Sequence, residues 1–237
     1  MINKEGIPQL DPDKRCIECM HCGAACPQKA IDFADRQGVL DRQVIDFNQQ
    51  FHETLNSFLL QRRSYRSFDD RKVSKDLLNE ALWLASYAPS AKNERPTKWI
   101  VIQDEIVIKK MMDEILSYTT KENISPEIAK EYAGGRNVVF GNANTILVGY
   151  GSLKAINPTV DIALETHTAE LALQAQGVGT CWAGYFARLS NVIPYIKEEL
   201  GLLEEEKVFT ALMIGYPKKE KYIHIPSRKK DPEIKWV

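Results

Sequence analysis

Cysteines at positions 16, 19, 22 and 26, with a proline directly after the last, make C-I-E-C-M-H-C-G-A-A-C-P the densest chemistry in the chain. Three thiolates spaced by two residues wrap one face of a cuboidal iron–sulfur cluster, and Pro27 turns the chain away after Cys26. Structural zinc is the rival. It gathers two Cys-x2-Cys knuckles across a longer loop, which three consecutive short gaps suit poorly. The spacing therefore points to a [4Fe–4S] cluster with Cys16, Cys19, Cys22 and Cys26 as its candidate ligands. The fifth cysteine, Cys181, stands far from the others.

A second set of residues lies downstream. Q-R-R-S-Y-R-S-F at 61–68 offers Arg62, Arg63, Ser64 and Arg66, a group able to grip a phosphate, since guanidinium forks bind phosphate through paired hydrogen bonds and stay charged. Alone, such an arginine-rich helix end equally suits the helix dipole and water. Three further segments follow it in order: A-P-S-A-K-N-E-R-P-T-K-W (88–99), G-V-G-T-C-W-A-G-Y (177–185) and A-L-M-I-G-Y-P…I-P-S-R-K (211–229).

These segments need elements to position them. The 237 residues, 44% hydrophobic and 27% charged, suit an ordinary globular chain with a substantial core. A formal net charge of −1 argues against a nucleic-acid binder. There is no apolar run long enough to span a bilayer and no signal-peptide pattern, so a cytoplasmic protein is expected. From Asp46 the pattern turns helical, with Phe47, Phe51, Leu55, Phe58 and Leu59 on one face. A second helix is expected over 74–87, capped by Ser74, with Leu77, Leu78, Ala81, Leu82 and Ala85 inward. Strands are expected at 99–103, at 145–149, within 177–185 and at 208–215; a polar helical region spans 105–136 and an alanine- and leucine-rich helix spans 160–176. Strands separated by helices imply a sandwich around one sheet, and the composition shift places a boundary near residue 45.

In their order, the downstream segments resemble those of the FMN-dependent nitroreductase family, over about residues 55–230. The cysteine run resembles one half of a bacterial two-cluster ferredoxin domain, and its fusion in front resembles a subgroup of that family from anaerobic bacteria. The resemblance implies an α+β fold with two parts, 1–45 a ferredoxin-like segment and 46–237 an FMN-binding domain. It implies a homodimer with the flavin at the interface, NAD(P)H or a ferredoxin-type donor, and a small acceptor such as a nitroaromatic or quinone. By position, Arg62, Arg63, Ser64 and Arg66 match the element that holds the FMN phosphate and ribityl chain, Arg66 lying by the N1/O2 edge of the ring. Pro89, Ser90 and Asn93 match the segment that reaches the flavin of the opposite subunit. Ala183 and Gly184 match the turn whose backbone N–H faces flavin N5, and Arg228 matches a C-terminal phosphate ligand. The chain departs from the family at Arg95, where glutamine is common, and at Thr97, where an aromatic is common; both alter the pocket wall. In the ferredoxin arrangement the fourth cluster ligand comes from a second run, which is absent here. Cys26 folding back, a partner subunit, or a non-cysteine group such as His21 could replace it.

Other readings of the same scaffold are a reductive dehalogenase-like enzyme, a flavin-fragmenting oxidase, and a non-enzymatic electron carrier or sensor. Cys181 has no histidine partner in sequence and is expected to be a small buried hydrophobe. His167 and Glu170 show the i,i+3 spacing of di-iron helices without the second motif such sites need, so His167 is expected to be a packed or surface residue. Gly177, Gly179 and Gly184 do not form a dinucleotide-binding fingerprint. Tyr118 and Tyr132 are candidates for the pocket wall.

Overall fold

Apolar residues stand at both odd and even positions of the longer strands, which requires a sheet covered on both faces. The structure, a computed structural model, describes residues 13, 15–31, 39–40, 44–218, 224–227 and 229–237. Strands β1 (Lys98–Ile102), β2 (Thr145–Ser152), β3 (Gly179–Trp182) and β4 (Glu206–Gly215) form one sheet in the order β1-β2-β4-β3, antiparallel throughout. They are the four expected strands with slightly shifted ends.

The helices of the described residues are α1 (His21–Ala25), α2 (Gln49–Gln61), α3 (Lys75–Ala85), α4 (Glu105–Lys121), α5 (Glu127–Ala133), α6 (Pro158–Ala175), α7 (Gly184–Leu189) and α8 (Pro194–Glu199). On one face of the sheet, Ile146, Val148 and Met213 pack with Met111 and Ile115 of α4, Phe186 of α7 and Ile196 of α8. On the other, Leu147, Leu212 and Ile214 pack with Leu78, Ala81 and Ala85 of α3 and with Ala169 and Leu173 of α6. At about 1.5–3 kcal/mol per fully buried large side chain, these two clusters hold the layers together.

Local chemistry starts the helices where the sequence suggests. Ser74 Oγ accepts from Leu77 N at 3.3 Å, Asp104 Oδ1 accepts from Ile106 N at 2.8 Å, and Asn48 Oδ1 accepts from Phe51 N at 3.0 Å. Gly149 in β2 lets α6 approach the sheet, since a Cβ there would stand 3.1 Å from Ile162 and 3.2 Å from Thr166 Oγ1. In that gap the Thr166 and Thr210 hydroxyls are hydrogen-bonded at 2.7 Å. The polar region at 105–136 resolves into α4 and α5. Helices α7 and α8 were not expected, because six residues hold fewer than two helical periods.

The apolar face of α2 forms, but no residue of that helix is buried. Phe51, Leu55 and Leu59 stay exposed, as do Trp83, Leu84 and Tyr87 at the end of α3 and Val160 and Leu164 of α6. Exposed apolar faces of this kind mark contact surfaces. Among the described residues no helix is long and apolar enough to cross a membrane.

Candidate functional site

A cleft of about 1030 Å³ opens where three stretches meet: Ser64 and Arg66 after α2, Arg136 and Asn142 between α5 and β2, and Trp182, Gly184 and Arg188 around the β3–α7 turn. The sheet brings the first and third together. Ser64 bridges Thr180 in parallel, and Tyr65 N donates to Thr180 O at 2.8 Å, so the segment after α2 runs beside β3. Gly179 is needed there, since a Cβ would lie 2.9 Å from the Tyr65 side chain. The second stretch is tied in by Asn142, whose amide brackets Phe68 by accepting from its N–H and donating to its carbonyl, both at 2.8 Å.

Alternation along β3 sorts its side chains. Cys181 enters the core, and burial pushes its thiol up from the ordinary range, as a small buried hydrophobe requires. Thr180 and Trp182 face the opposite way. Ala183 N donates to Ala211 O at 2.8 Å, which extends the ladder by one residue. Gly184 then opens α7, at a position where helix N–H groups have no partner within the helix. A Cβ on Gly184 would meet nothing within 4 Å, so the turn presents bare backbone beside open space.

Among the described residues, the lining of the cleft carries three guanidinium groups, Arg66, Arg136 and Arg188, and no carboxylate. Just behind it, Arg136 Nε pairs with Glu131 Oε2 at 2.7 Å, and Arg188 Nη2 donates to Ser125 Oγ at 2.8 Å. Tyr185 Oη donates to Glu127 Oε1 at 2.9 Å, and that hydrogen bond, with burial, raises its phenol above the usual range. Arg66 Nη1 donates to Ser64 O, two residues back, at 3.4 Å.

The expected arginine cluster is divided. Arg66 and Ser64 line the cleft, whereas Arg62 lines a smaller cavity of about 420 Å³ with Phe58, Gln61 and Tyr65. Its Nη1 lies 3.4 Å from Glu170 Oε1. Arg63 turns back onto α2, donating from Nη1 to Leu60 O at 2.7 Å and to Arg62 O at 2.8 Å. Arg63 thus serves the helix end with these two bonds.

Pro89, Ser90 and Asn93 line no part of this chain's cleft. Ser90 Oγ accepts from Arg95 N at 3.1 Å, and the Asp161 carboxylate accepts from Ala91 N at 3.1 Å with both oxygens. Asn93 is spent on the cysteine run: its Nδ2 donates to Ile17 O at 3.1 Å and Glu18 O at 3.2 Å. Tyr118 packs against the core and Tyr132 lines a separate cavity, so neither expected wall residue borders the main cleft; Gly135 and Arg136, just after α5, do. Arg228 lies outside the described residues.

The four cysteines of the run are free thiols, with Cys16 and Cys22 exposed and Cys19 and Cys26 half-buried. Backbone N–H groups approach two of the sulfurs, Glu18 N at 3.3 Å from Cys16 Sγ and Ala30 N at 3.4 Å from Cys26 Sγ. The N–H groups of Ala30 and Gln28 hold the Cys26 thiol below its ordinary range. Among the described residues, however, no three His, Cys, Asp or Glu side chains are placed to hold a metal ion. The expected ligand set, with or without His21, is therefore not gathered among the described residues; the Cys16 and Cys26 sulfurs accept from local backbone instead.

Sequence reasoning missed Glu170, Trp182, Arg136, Asn142 and Arg188. Only Glu170 left a signal, its i,i+3 spacing from His167, a spacing that lacks the second motif a metal site needs.

The Nitroreductase family profile matches residues 59–216. A provisionally named NADH dehydrogenase/NAD(P)H nitroreductase of Archaeoglobus fulgidus is 31% identical over 160 residues, which cover 68% of this chain and 83% of that protein. A relative of the same name from Methanothermobacter thermautotrophicus is 26% identical over 158 residues, covering 66% and 73% of the two chains. A nitroreductase of Bacteroides fragilis, solved with FMN bound, shares the fold with a TM-score of 0.67 at 20% identity, over 80% of this chain and 100% of that one. The matched stretch runs from the last turn of α2 to the end of β4 and contains every wall of the cleft, while the cysteine run lies outside it; on these grounds the chain belongs to the nitroreductase family.

Proposed function

We propose that the protein is an FMN-dependent oxidoreductase that takes electrons from NAD(P)H or an iron–sulfur donor and passes them to a small oxidised acceptor, such as a nitroaromatic or quinone. One observation carries the reading: a cleft that, among the described residues, is lined by three guanidinium groups and no carboxylate and ends at the bare backbone of Gly184. An anionic, planar cofactor fits such a place, because fixed cations favour its phosphate and any charge on its reduced ring. Bound there, FMN supplies the two-electron chemistry.

The chain's own residues hold and orient it. Ser64 and Arg66 would hold the cofactor's polar edge. At the β3–α7 turn Gly184 N–H, rather than Ala183 N–H, would be the donor offered to the flavin, since the latter is committed to Ala211 O. Arg62 and Arg228 serve the phosphate, and Arg63 acts behind them through the end of α2. Pro89, Ser90 and Asn93 lie away from this chain's own cleft, which agrees with service to a partner subunit's cleft in a homodimer. The exposed apolar faces of α2, α3 and α6 offer the surface for that assembly. A cytoplasmic location belongs to the same reading.

The cysteine run, the 1–45 part of the chain's division near residue 45, supports a [4Fe–4S] cluster by its spacing alone. Among the described residues the thiols as arranged do not gather a ligand set.

The test is anaerobic purification with FMN, iron and acid-labile sulfide counted per chain, followed by NAD(P)H oxidation with nitroaromatic and quinone acceptors. One FMN per chain and acceptor-dependent turnover are expected. A chain that binds no FMN, or holds FMN yet reduces no small acceptor, would sink the enzyme reading; iron and sulfide near zero would remove the cluster alone.

A further inference from the structure

Helix α6 buries a carboxylate among apolar neighbours. Glu170 is 1% exposed, between Ala169 and Leu173 of the core, a place from which an unpaired carboxylate would be expelled. It stays because donors surround it. Oε2 accepts from Trp182 Nε1 at 3.0 Å and lies 2.8 Å from His167 Nδ1. Oε1 accepts from Thr180 Oγ1 at 3.2 Å, Arg62 Nη1 at 3.4 Å and Gln174 Nε2 at 3.5 Å.

Periodicity explains the convergence. Thr180 and Trp182 are two apart on β3 and share the face toward α6. His167 and Gln174 stand three residues before and four after Glu170, on the same side of the helix. Arg62 arrives as the last residue of α2's C-terminal turn. The donors belong to the walls of two cavities: Trp182 lines the large cleft, and Arg62 and Gln174 line the smaller one.

We propose that Glu170 is a positioning residue for the site. Through one buried carboxylate it locks the Trp182 indole against the cleft wall and the Arg62 guanidinium at the end of α2. It thereby sets the width of the cleft next to Gly184. The effect on turnover rests on the flavin reading above; the linkage itself does not.

Glu170→Gln tests this sharply because Trp182 Nε1 and Arg62 can only donate. Whichever way the amide turns, its NH₂ opposes one of them, so either the indole or the guanidinium is released. The chain has four tryptophans, and comparison with Trp182→Phe assigns the Trp182 indole N–H resonance in a nitrogen–proton spectrum. In Glu170→Gln that resonance is expected to move in either case, toward the position of a water-exposed indole where the amide NH₂ faces Trp182, and by the weaker bond to a neutral oxygen where the amide carbonyl does. In the holoprotein, FMN affinity or the acceptor KM is expected to worsen by about tenfold, the loss of a charge-assisted hydrogen bond. The losses from Glu170→Gln and Trp182→Phe should fail to multiply in the double variant, since the two residues act as one unit.

A lower melting temperature with unchanged indole resonance, flavin spectrum and KM would overturn the proposal, and so would losses that multiply. If Glu170→Gln does not fold, His167→Ala replaces it, because the His167 side chain is 49% exposed and its removal spares the core. That variant should still shift the Trp182 resonance, and no shift would overturn the linkage. If the wild-type chain binds no FMN, the flavin reading fails while the indole resonance still decides this one.

Discussion

The cysteine run and the cleft are the two chemistry-bearing regions of this chain, and they are held in place very differently. At the cleft, each of the segments 61–68, 136–142 and 180–188 is tied to another by a sheet bridge, a bracketing amide or a buried carboxylate. At the run, two hydrogen bonds from Asn93 fasten backbone to the folded body, while the Cys16 and Cys26 sulfurs face local N–H groups. A site assembled by long-range packing is formed by folding itself. A site built from closely spaced ligands has no such support, because a short loop buries too little to fix its side chains without the group they bind.

The largest effect that would test this contrast is on stability. Phe186 is fully buried beneath the cleft, 5.0 Å from the Phe140 ring, so Phe186→Ala should cost about 3–5 kcal/mol by chemical denaturation. Exposed Cys22→Ser should leave the denaturation midpoint of the iron-free protein unchanged; an equal loss from both would erase the distinction. Next comes cofactor binding. Arg66→Ala should weaken FMN by roughly ten- to a hundredfold in a fluorescence titration, as loss of a charge-assisted contact does. Arg63→Ala should change it by no more than about threefold, since its guanidinium is spent on helix-end carbonyls.

A smaller effect tests the tether. Asn93→Ala removes two amide–carbonyl hydrogen bonds worth about 0.5–1.5 kcal/mol each. Hydrogen exchange over 16–26 should speed up while that over the sheet stays as it was. Protection unchanged at the run would show that Asn93 does not anchor it.

The smallest concerns pH and the far edge of the sheet. Glu206 on β4 accepts from Lys98 Nζ at 2.7 Å, and this bond, with the Leu203 N–H, holds its carboxyl below the usual range. In the unfolded chain the same group titrates near ~4.3. Between those values the unfolded state binds more protons, so stability from this pair is present above about pH 4.3 and is lost as pH falls through the folded value. Lys98 is shifted upward by the same partner, so its share is lost only as pH rises through a value above the ordinary lysine range. Glu206→Gln should flatten the acid side of a pH–stability curve without altering flavin binding.

Much of the fold was legible because burial is periodic. Ile146, Leu147 and Val148 announce a strand covered on both faces, and Ser74 before Leu77 and Leu78 announces a helix start. The short helices α7 and α8 were not legible, since they are held by the packing of Phe186, Leu189 and Ile196 rather than by their own pattern. The site was legible in part. Ser64, Arg66 and Gly184, which their motifs single out, line the cleft; their hold on a flavin is the function proposed. Arg136, Asn142 and Arg188 could not be foreseen, because polar residues on loops and short helices carry no signature until the chain has folded.

Sequence by itself determined the family, the four strands with the main helices between them, and a thiol spacing suited to an iron–sulfur cluster, because these depend on local order and period. Tertiary structure alone decided how the three arginines of R-R-S-Y-R divide, with Arg66 to the cleft, Arg62 to Glu170 and Arg63 to the helix end. It also turned the spacing of His167 and Glu170, which resembled half of a metal motif, into the centre of a hydrogen-bond network. The physical reason is the same in both cases. What a charged side chain does depends on which partners surround it, and residues 62, 170 and 182 meet only when α2, α6 and β3 pack.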